Sequence, residues 1–211
     1  MLNKIKNIVK IYLRNNKIRR LKFQHYSEYK QYFASEDRKS NWDATTFSKI
    51  IENNLKGKTN LVLVEVGVAR GGTSDFTIKK LSNNIAKYTG VDPYKSNYDK
   101  TDIFSYYNQE FMDYCYLYVI EKVNDSRFDL IRTTSKKASS EFQDNSIDAI
   151  FIDGDHTYSA VLEDIKCWKN KVKKGGLMIG DDYQSFKGVK KAVHESFSEF
   201  HQEGNSWFVI L

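Results

Sequence analysis

Proline occurs once in these 211 residues, at Pro93, and cysteine twice, at Cys115 and Cys167. Two cysteines without a CxxC spacing give no support to a disulfide framework or a cysteine-ligated zinc site, and a reducing cytoplasm is the expected compartment. No continuous apolar run approaches the ~20 residues that a membrane-spanning helix needs. The opening MLNKIKNIVK is basic, but no small-residue cleavage site follows, so it reads poorly as a signal peptide. Acidic residues are missing from residues 1 to 22, which hold eight Lys or Arg, from Lys4 to Lys22. Without those eight the chain carries 25 basic against 27 acidic residues, so the net charge of +6 says little about the rest of it. Nucleic-acid binding therefore has no footing in the basic balance.

What is present begins with that basic segment. Leu2, Ile5, Val9, Tyr12 and Leu13 recur at helical spacing between lysines and arginines, the pattern of an amphipathic helix. Three uses compete for it: packing on its own domain or on a second copy in a homo-oligomer, attachment to an anionic membrane at its inner face, and contact with nucleic acid. Residues 23 to 42 read as a polar, aromatic connector. The expected organisation is an extension over 1–42 and one domain over 43–211.

From residue 43 helices and strands alternate. Asp43 can cap a helix carrying Phe47, Ile50, Ile51 and Leu55 that ends before Gly57. LVLVEV (61–66) is a continuous apolar run of strand length, as in strands buried on both faces. A helix is expected around Ser74 to Leu81, strands at YTGVD and FDLIRT, a Tyr-rich helical stretch to Val123, and a short helix in SKKASSEF. IDAIFID and GGLMIGDD supply two more strands around a helix after Tyr158, and Gly188–Phe197 a last helix before the strand WFVIL. This predicts an α/β fold: a doubly wound, mostly parallel sheet of Rossmann type with a C-terminal hairpin over 198–211. Ligands of such sheets bind outside the carboxyl ends of the strands. Each unusual polar cluster here follows a strand.

The first strand runs into Glu65-Val-Gly67-Val-Ala-Arg-Gly71-Gly72-Thr73-Ser74. Glycines let the backbone turn and approach a ligand, and the next helix offers unpaired N–H groups. A G-x-G-x-x-G dinucleotide loop is not formed, because Val68 and Arg70 fill positions that it needs open. Asp92 ends the second strand, where an acid can accept hydrogen bonds from a ribose diol, and Pro93 forces the turn after it. A turn-opening role for Asp92 alone is the plainer alternative.

The fourth strand ends at Asp153 and the fifth at Asp181-Asp182. Neighbouring strands lie about 4.8 Å apart, so these carboxylates can meet over one cation, and oxygen ligands suit Mg²⁺ or Mn²⁺. His156, three residues past Asp153, is placed to take a proton from a substrate hydroxyl. Ordinary helix capping is the competing reading for each of them.

The E-x-G-x-x-x-G-x-S/T pattern followed by a strand-ending acid resembles the class I S-adenosylmethionine-dependent methyltransferases. That resemblance implies that Glu65, Gly67, Gly71 and Thr73 frame the methionine part of the cofactor, that Asp92 holds the ribose, and that Thr134 and Ser135 line the adenine. The span D-G-D-H-T-Y-S-A-V-L-E-D-I…G-D-D-Y is similar to the macrocin-type sugar O-methyltransferases, over residues 60 to 211. It implies Mg²⁺ at Asp153, Asp181 and Asp182, and His156 with Asp153 as the catalytic residues toward a saccharide or small-molecule hydroxyl. Many of those relatives read G-H-D-Y where this chain has Gly180-Asp181-Asp182-Tyr183. Three other readings compete with O-methylation: a cephalosporin-hydroxylase-like protein, a noncatalytic S-adenosylmethionine-binding module, and a nucleic-acid methyltransferase. The last lacks the N/D-P-P-Y/F segment that its class carries after the fourth strand.

Overall fold

The computed structural model describes residues 25–39, 44–98 and 107–211. The basic helix expected over 1–22 and the cap expected of Asp43 lie outside them. Helices α1 (Tyr26–Lys39) and α2 (Thr46–Asn54) precede the alternating part of the chain. There follow β1 (Leu61–Val66), α3 (Gly72–Lys80), β2 (Ile85–Val91), α4 (Gln109–Val123), β3 (Phe128–Ile131) and α5 (Ser135–Ser139). The second half has β4 (Ile147–Ile152), α6 (Tyr158–Trp168), β5 (Val172–Gly180), α7 (Lys187–Ser196), β6 (His201–Glu203) and β7 (Ser206–Ile210). The sheet order is β3-β2-β1-β4-β5-β7-β6. The first five strands run parallel, and β7 lies antiparallel between β5 and β6. This is the doubly wound sheet with a terminal hairpin that the alternation predicts.

Successive strand residues point to opposite faces, and the apolar runs of β1, β4 and β5 fill two cores at once. Leu63, Ala149, Phe151, Leu177 and Ile179 pack under α1 to α4. Val64, Ile150, Ile152 and Met178 pack under α6 and α7, with Trp168 and Trp207. The central strands are thereby held in one register. Val66 is level with Val91 and with Ile152, and Ile152 with Gly180. The next residue of each strand, Gly67, Asp92, Asp153 and Asp181, therefore emerges along one edge.

The segment before the domain differs from its expectation. Residues 26 to 39 form a helix rather than a connector: Tyr29 and Phe33 are buried, and Phe33 has no exposed surface. The helix packs on α4, with Phe33 edge-on to Phe111 at 4.9 Å between ring centroids. Its exposed face is charged, which lowers the average hydropathy of the segment and hides the i, i+4 pair that does the packing.

Truncating that anchor tests whether α1 belongs to the folding unit. Phe33→Ala should lower unfolding stability by about 3–5 kcal/mol, measured by urea unfolding of the full chain. A connector residue would change it by about 0.5 kcal/mol or less.

Candidate active site

The loop after β1 depends on two backbone positions. Gly67 has φ +89°, and a Cβ there would stand 2.0 Å from the carbonyl oxygen of Asp153. Only glycine lets the ends of β1 and β4 come this close. Gly71, at φ +68°, turns the chain into α3, whose first turn has no side-chain cap. The helix thus starts two residues earlier than its expected Ser74, and its leading N–H groups remain available to a ligand. Asp92 braces the loop from the side. Its Oδ2 accepts from the backbone N–H groups of Val68 (3.1 Å) and Ala69 (3.0 Å), and its Oδ1 from that of Tyr94 (2.8 Å). From behind, the buried Arg70 donates through Nε to Asp37 of α1 at 2.7 Å. The same carboxylate accepts from Lys122 (2.7 Å) and Tyr118 (2.9 Å) of α4, and burial of the acid is outweighed by these donors, which hold it below the usual range.

A cavity of about 640 Å³ opens over this edge. Gly67, Thr73, Asp92, Thr134 and Ser135 line it at one end; Asp153, His156, Asp181 and Asp182 line it at the other. Glu65 and Gly71, expected beside them, are not among its walls. Glu65 points instead into the core beneath the loop, where it accepts hydrogen bonds from Ser74 and from Tyr88 (2.7 Å). Gly71 backs onto Val119 of α4. Both therefore shape the loop from below. Burial, with Asp153 and Asp92 adding like charge, pushes the Glu65 carboxyl up to about 8, against the hydrogen bonds from Ser74 and Tyr88. Of the tyrosines between the second strand and α4, Tyr98 lines the cavity, Tyr94 is buried with its hydroxyl donating to the Ala69 carbonyl, and Tyr107 is buried against Phe111. Tyr106 lies outside the described residues.

At the second end, the expected trio of carboxylates is not what converges. Among the described residues, Asp153, His156 and Asp182 bring one ligand atom each within 4.8 Å of one another. His156 Nε2 is 2.8 Å from Asp182 Oδ2 and 3.8 Å from Asp153 Oδ1. Asp181 is turned aside and accepts from Ser206 Oγ at 2.8 Å. Two consecutive residues leave a strand end in different directions, and Asp182, at φ +59°, is the one swung back. His156, expected as a base, occupies the place expected for Asp181. Its ring stacks on Phe186 at 4.4 Å and 13°. Neither ring nitrogen makes a well-directed hydrogen bond, short as the contact to Asp182 is. The atoms converge on a shared point more than they pair with each other. Asp155 accepts from the N–H of Thr157, which in turn caps α6, so it organises the turn and takes no part in the cluster.

Charge at this end is unbalanced in an instructive way. Burial alone would lower the His156 pKa, but Asp153 and Asp182 outweigh it and push it up to about 10. Burial, with Asp181 and Asp182 adding, pushes Asp153 up to about 7 against the pull of His156. Burial also raises Asp181; in Asp182 it is overcome by His156, Ser185 and Asn205, which hold the acid low. The imidazolium is thus the positive charge among the acids. In that state it has no lone pair with which to accept a proton.

Sequence reading missed the supports. Asn205 Nδ2 donates to Asp182 Oδ1 at 2.9 Å, and Ser206 holds Asp181, both from the β6–β7 hairpin. Gly188 lets α7 approach the 156–158 turn, since a Cβ there would be 2.7 Å from the His156 carbonyl. Phe186, directly before α7, carries the His156 ring.

Residues 64–183 match a family described as a methyltransferase domain. The chain belongs to that family. A relative from Acanthamoeba polyphaga mimivirus, itself uncharacterized, is 31% identical over 151 residues, 65% of this chain and 59% of the relative. The chain spans about three-fifths of the length of that curated relative. Among solved structures, this methyltransferase domain is similar to the O-methyltransferase NovP, with TM-score 0.61 and 16% identity over 78% of this chain and 77% of that one. A Staphylococcus aureus protein assigned as a caffeoyl-CoA O-methyltransferase has TM-score 0.57 and 16% identity, covering 99% of this chain and 98% of its own. CalS11, a TDP-rhamnose 3′-O-methyltransferase of calicheamicin biosynthesis, has TM-score 0.55 and 11% identity over 87% and 93%. These likenesses establish the class I methyltransferase fold. No helix among the described residues is long and apolar enough to cross a membrane.

The buried acid under the loop of this methyltransferase domain gives a prediction with a definite sign. Folded Glu65 keeps a proton that the unfolded chain releases at its ordinary value of 4.5. The stability tied to that proton is fully present below about pH 4.5 and is lost as pH rises through about 8. Glu65→Gln keeps an acceptor for Ser74 and Tyr88 but cannot ionise. Relative to the wild type it should gain on the order of 3–5 kcal/mol between about pH 5 and pH 9, read from urea unfolding across that range.

Proposed function

We propose that the chain is an S-adenosylmethionine-dependent O-methyltransferase of the macrocin-type branch, assisted by a divalent cation, with a hydroxyl of a sugar or related small molecule as acceptor. The observation that carries this is the convergence of Asp153, His156 and Asp182 at the edge that also holds the glycine loop. The residues suit the cofactor: Asp92 for a ribose diol, Thr73 and the open first turn of α3 for the amino-acid end, Thr134 and Ser135 for the base. They suit a cation as well, because two carboxylates and one imidazole nitrogen with poorly directed mutual contacts form a mixed donor set, the carboxylates fitting Mg²⁺ or Mn²⁺ and the imidazole favouring Mn²⁺ of the two. When bound, such a cation lowers the pKa of an acceptor hydroxyl and fixes its oxygen.

This chain's own residues account for the remainder. With a cation in the cluster, His156 would be neutral and would hold it through a ring nitrogen, so His156 is assigned as a ligand and not as the base. Asp153 would hold the cation through one carboxylate oxygen, and its second oxygen is left to accept the hydroxyl proton. The acceptor oxygen attacks the methyl carbon, the carbon–sulfur bond breaks, and the sulfur retains the electron pair as S-adenosylhomocysteine leaves. The sheet edge contributes alignment, which can supply about 7–11 kcal/mol of a barrier of this kind. Tyr98 and Phe186 offer ring faces, and Asn205 and Ser206 polar groups, in the wall where the acceptor would lie.

Manganese soaked into crystals should give an anomalous peak between Asp153, His156 and Asp182. In titrations, His156→Ala and Asp182→Asn should each weaken Mn²⁺ binding at least ~10-fold while S-adenosylhomocysteine affinity stays nearly unchanged. Methyl transfer to hydroxylated acceptors should be abolished by chelator and restored by Mg²⁺. An absent peak together with chelator-insensitive transfer would remove the cation from the reading and leave a nucleoside pocket.

A further inference from the structure

The cluster of Asp153, His156 and Asp182 depends on a residue outside it. Asp182 is the second of two consecutive aspartates, and it reaches the cluster through a backbone turn at φ +59°. A residue with a Cβ seldom holds that conformation unless its surroundings fix it. Asp181, which is not turned in this way, leaves toward Ser206.

The surroundings that fix Asp182 are the tip of the β6–β7 hairpin. Gly204 and Asn205 make its two-residue turn, with Gly204 at φ +59° in the first central position. Asn205 Nδ2 donates to Asp182 Oδ1 at 2.9 Å and to Ser185 Oγ at 3.1 Å. Its Oδ1 accepts from the backbone N–H of Gln184 at 2.9 Å, and its carbonyl accepts from that of Tyr183 at 2.8 Å. One residue thus grips every position from 182 to 185. The Asp182 carbonyl in turn accepts from the N–H groups of Ser185 and Phe186, both at 3.1 Å. The turn that carries the Phe186 ring to His156 is therefore held by the same clamp. Adjacent hairpin residues receive adjacent acids: Asn205 takes Asp182, and Ser206 takes Asp181.

Orientation decides what a carboxylate can do as a ligand. Asn205 occupies Oδ1 of Asp182, and Oδ2 is left 2.8 Å from His156 Nε2. An outer hydrogen bond of this kind fixes which oxygen a ligating carboxylate presents. We propose that Asn205 is the positioning residue of the cation site, keeping Asp182 turned inward from the hairpin tip with Oδ2 presented to the cluster. The group that faces Asp182 is a donor, so Asn205 acts through the aspartate and not as a ligand itself.

This rests on the cation proposed above, and the test separates the two. Mn²⁺ binding to the full chain is measured by electron paramagnetic resonance with no acceptor present, and S-adenosylhomocysteine binding by calorimetry. Asn205→Ala should weaken Mn²⁺ binding at least ~10-fold and leave S-adenosylhomocysteine affinity nearly unchanged. Added to Asp182→Asn, the same substitution should cost less than ~2-fold more, because its route to the cation is already cut. A merely structural role would give the full loss in both backgrounds. No Mn²⁺ binding by the wild type would overturn the cation reading and this inference with it. Wild-type binding that Asn205→Ala leaves intact, or a loss that repeats in full on Asp182→Asn, would overturn this inference alone. Should Asn205→Ala fail to fold, manganese-soaked wild-type crystals decide. Asp182 Oδ2 on the anomalous peak, with Asn205 still on Oδ1, sustains the inference; Asp181 there in place of Asp182 overturns it.

Discussion

The site depends on one row of backbone. Val66, Val91, Ile152 and Gly180 are level across four parallel strands, and ladder bonds continue one residue further, from Gly67 N–H to Val91, from Asp153 N–H to Val66 and from Asp181 N–H to Ile152. A slip of one residue in any strand would send its apolar side chains to the wrong face, and two packed cores forbid that. The same constraint that buries Val64 and Phe151 therefore also delivers Asp92, Asp153 and Asp181 to a common edge. Gly67 completes it, because any side chain there would push β1 from β4 where the glycine loop meets the Asp153 turn.

Crowding acids at one edge raises their energy, and the chain answers locally. Asp92 is neutralised by backbone N–H groups of the loop it supports, Asp182 by His156 and Asn205, and Asp181 by Ser206. Among the described residues Asp153 has His156 at 3.8 Å, shared with Asp182, and burial, with Asp181 and Asp182 adding, raises its proton affinity against that partner. It stands beside the seam of β1 and β4, in the wall of the cavity. The aromatic plate of Phe186 limits how far the His156 ring can rotate, so the cluster holds its geometry before any ligand enters.

Much of this was legible in the residues, and the exceptions have physical causes. Buried parallel strands are nearly uniform in apolar content, so LVLVEV and IDAIFID declared themselves, as did the glycine turn and the acids that follow. Strand alternation is equally legible, yet the motif obscured it: Glu65 shares the face of Leu63, toward Tyr88 and Ser74, and so cannot enter the cavity. Asp181 and Asp182 read as a pair, but adjacent residues diverge, and the positive φ that turns Asp182 inward has no sequence signature in an aspartate. Asn205 and Ser206 act across a hairpin, over 20 residues from their partners, a distance that local pattern does not register. Helix α1 was hidden by its charged face.

That helix changes how the loop is understood. The cavity side of residues 67–71 is open, whereas the opposite side rests on α1 and α4 through Asp37, Tyr118 and Lys122, with Lys122 also donating to the Arg70 carbonyl at 3.1 Å and Tyr94 to that of Ala69 at 2.9 Å. A glycine turn alone would be soft, since glycine gives up more backbone entropy on ordering than other residues. Charge-assisted hydrogen bonds, each worth about 1.5–3 kcal/mol, hold this one from behind. Stiffness of the loop is thereby borrowed from helices packed on the side away from the cavity. Asp37 of α1, ahead of the first strand, is thus part of what shapes the glycine loop.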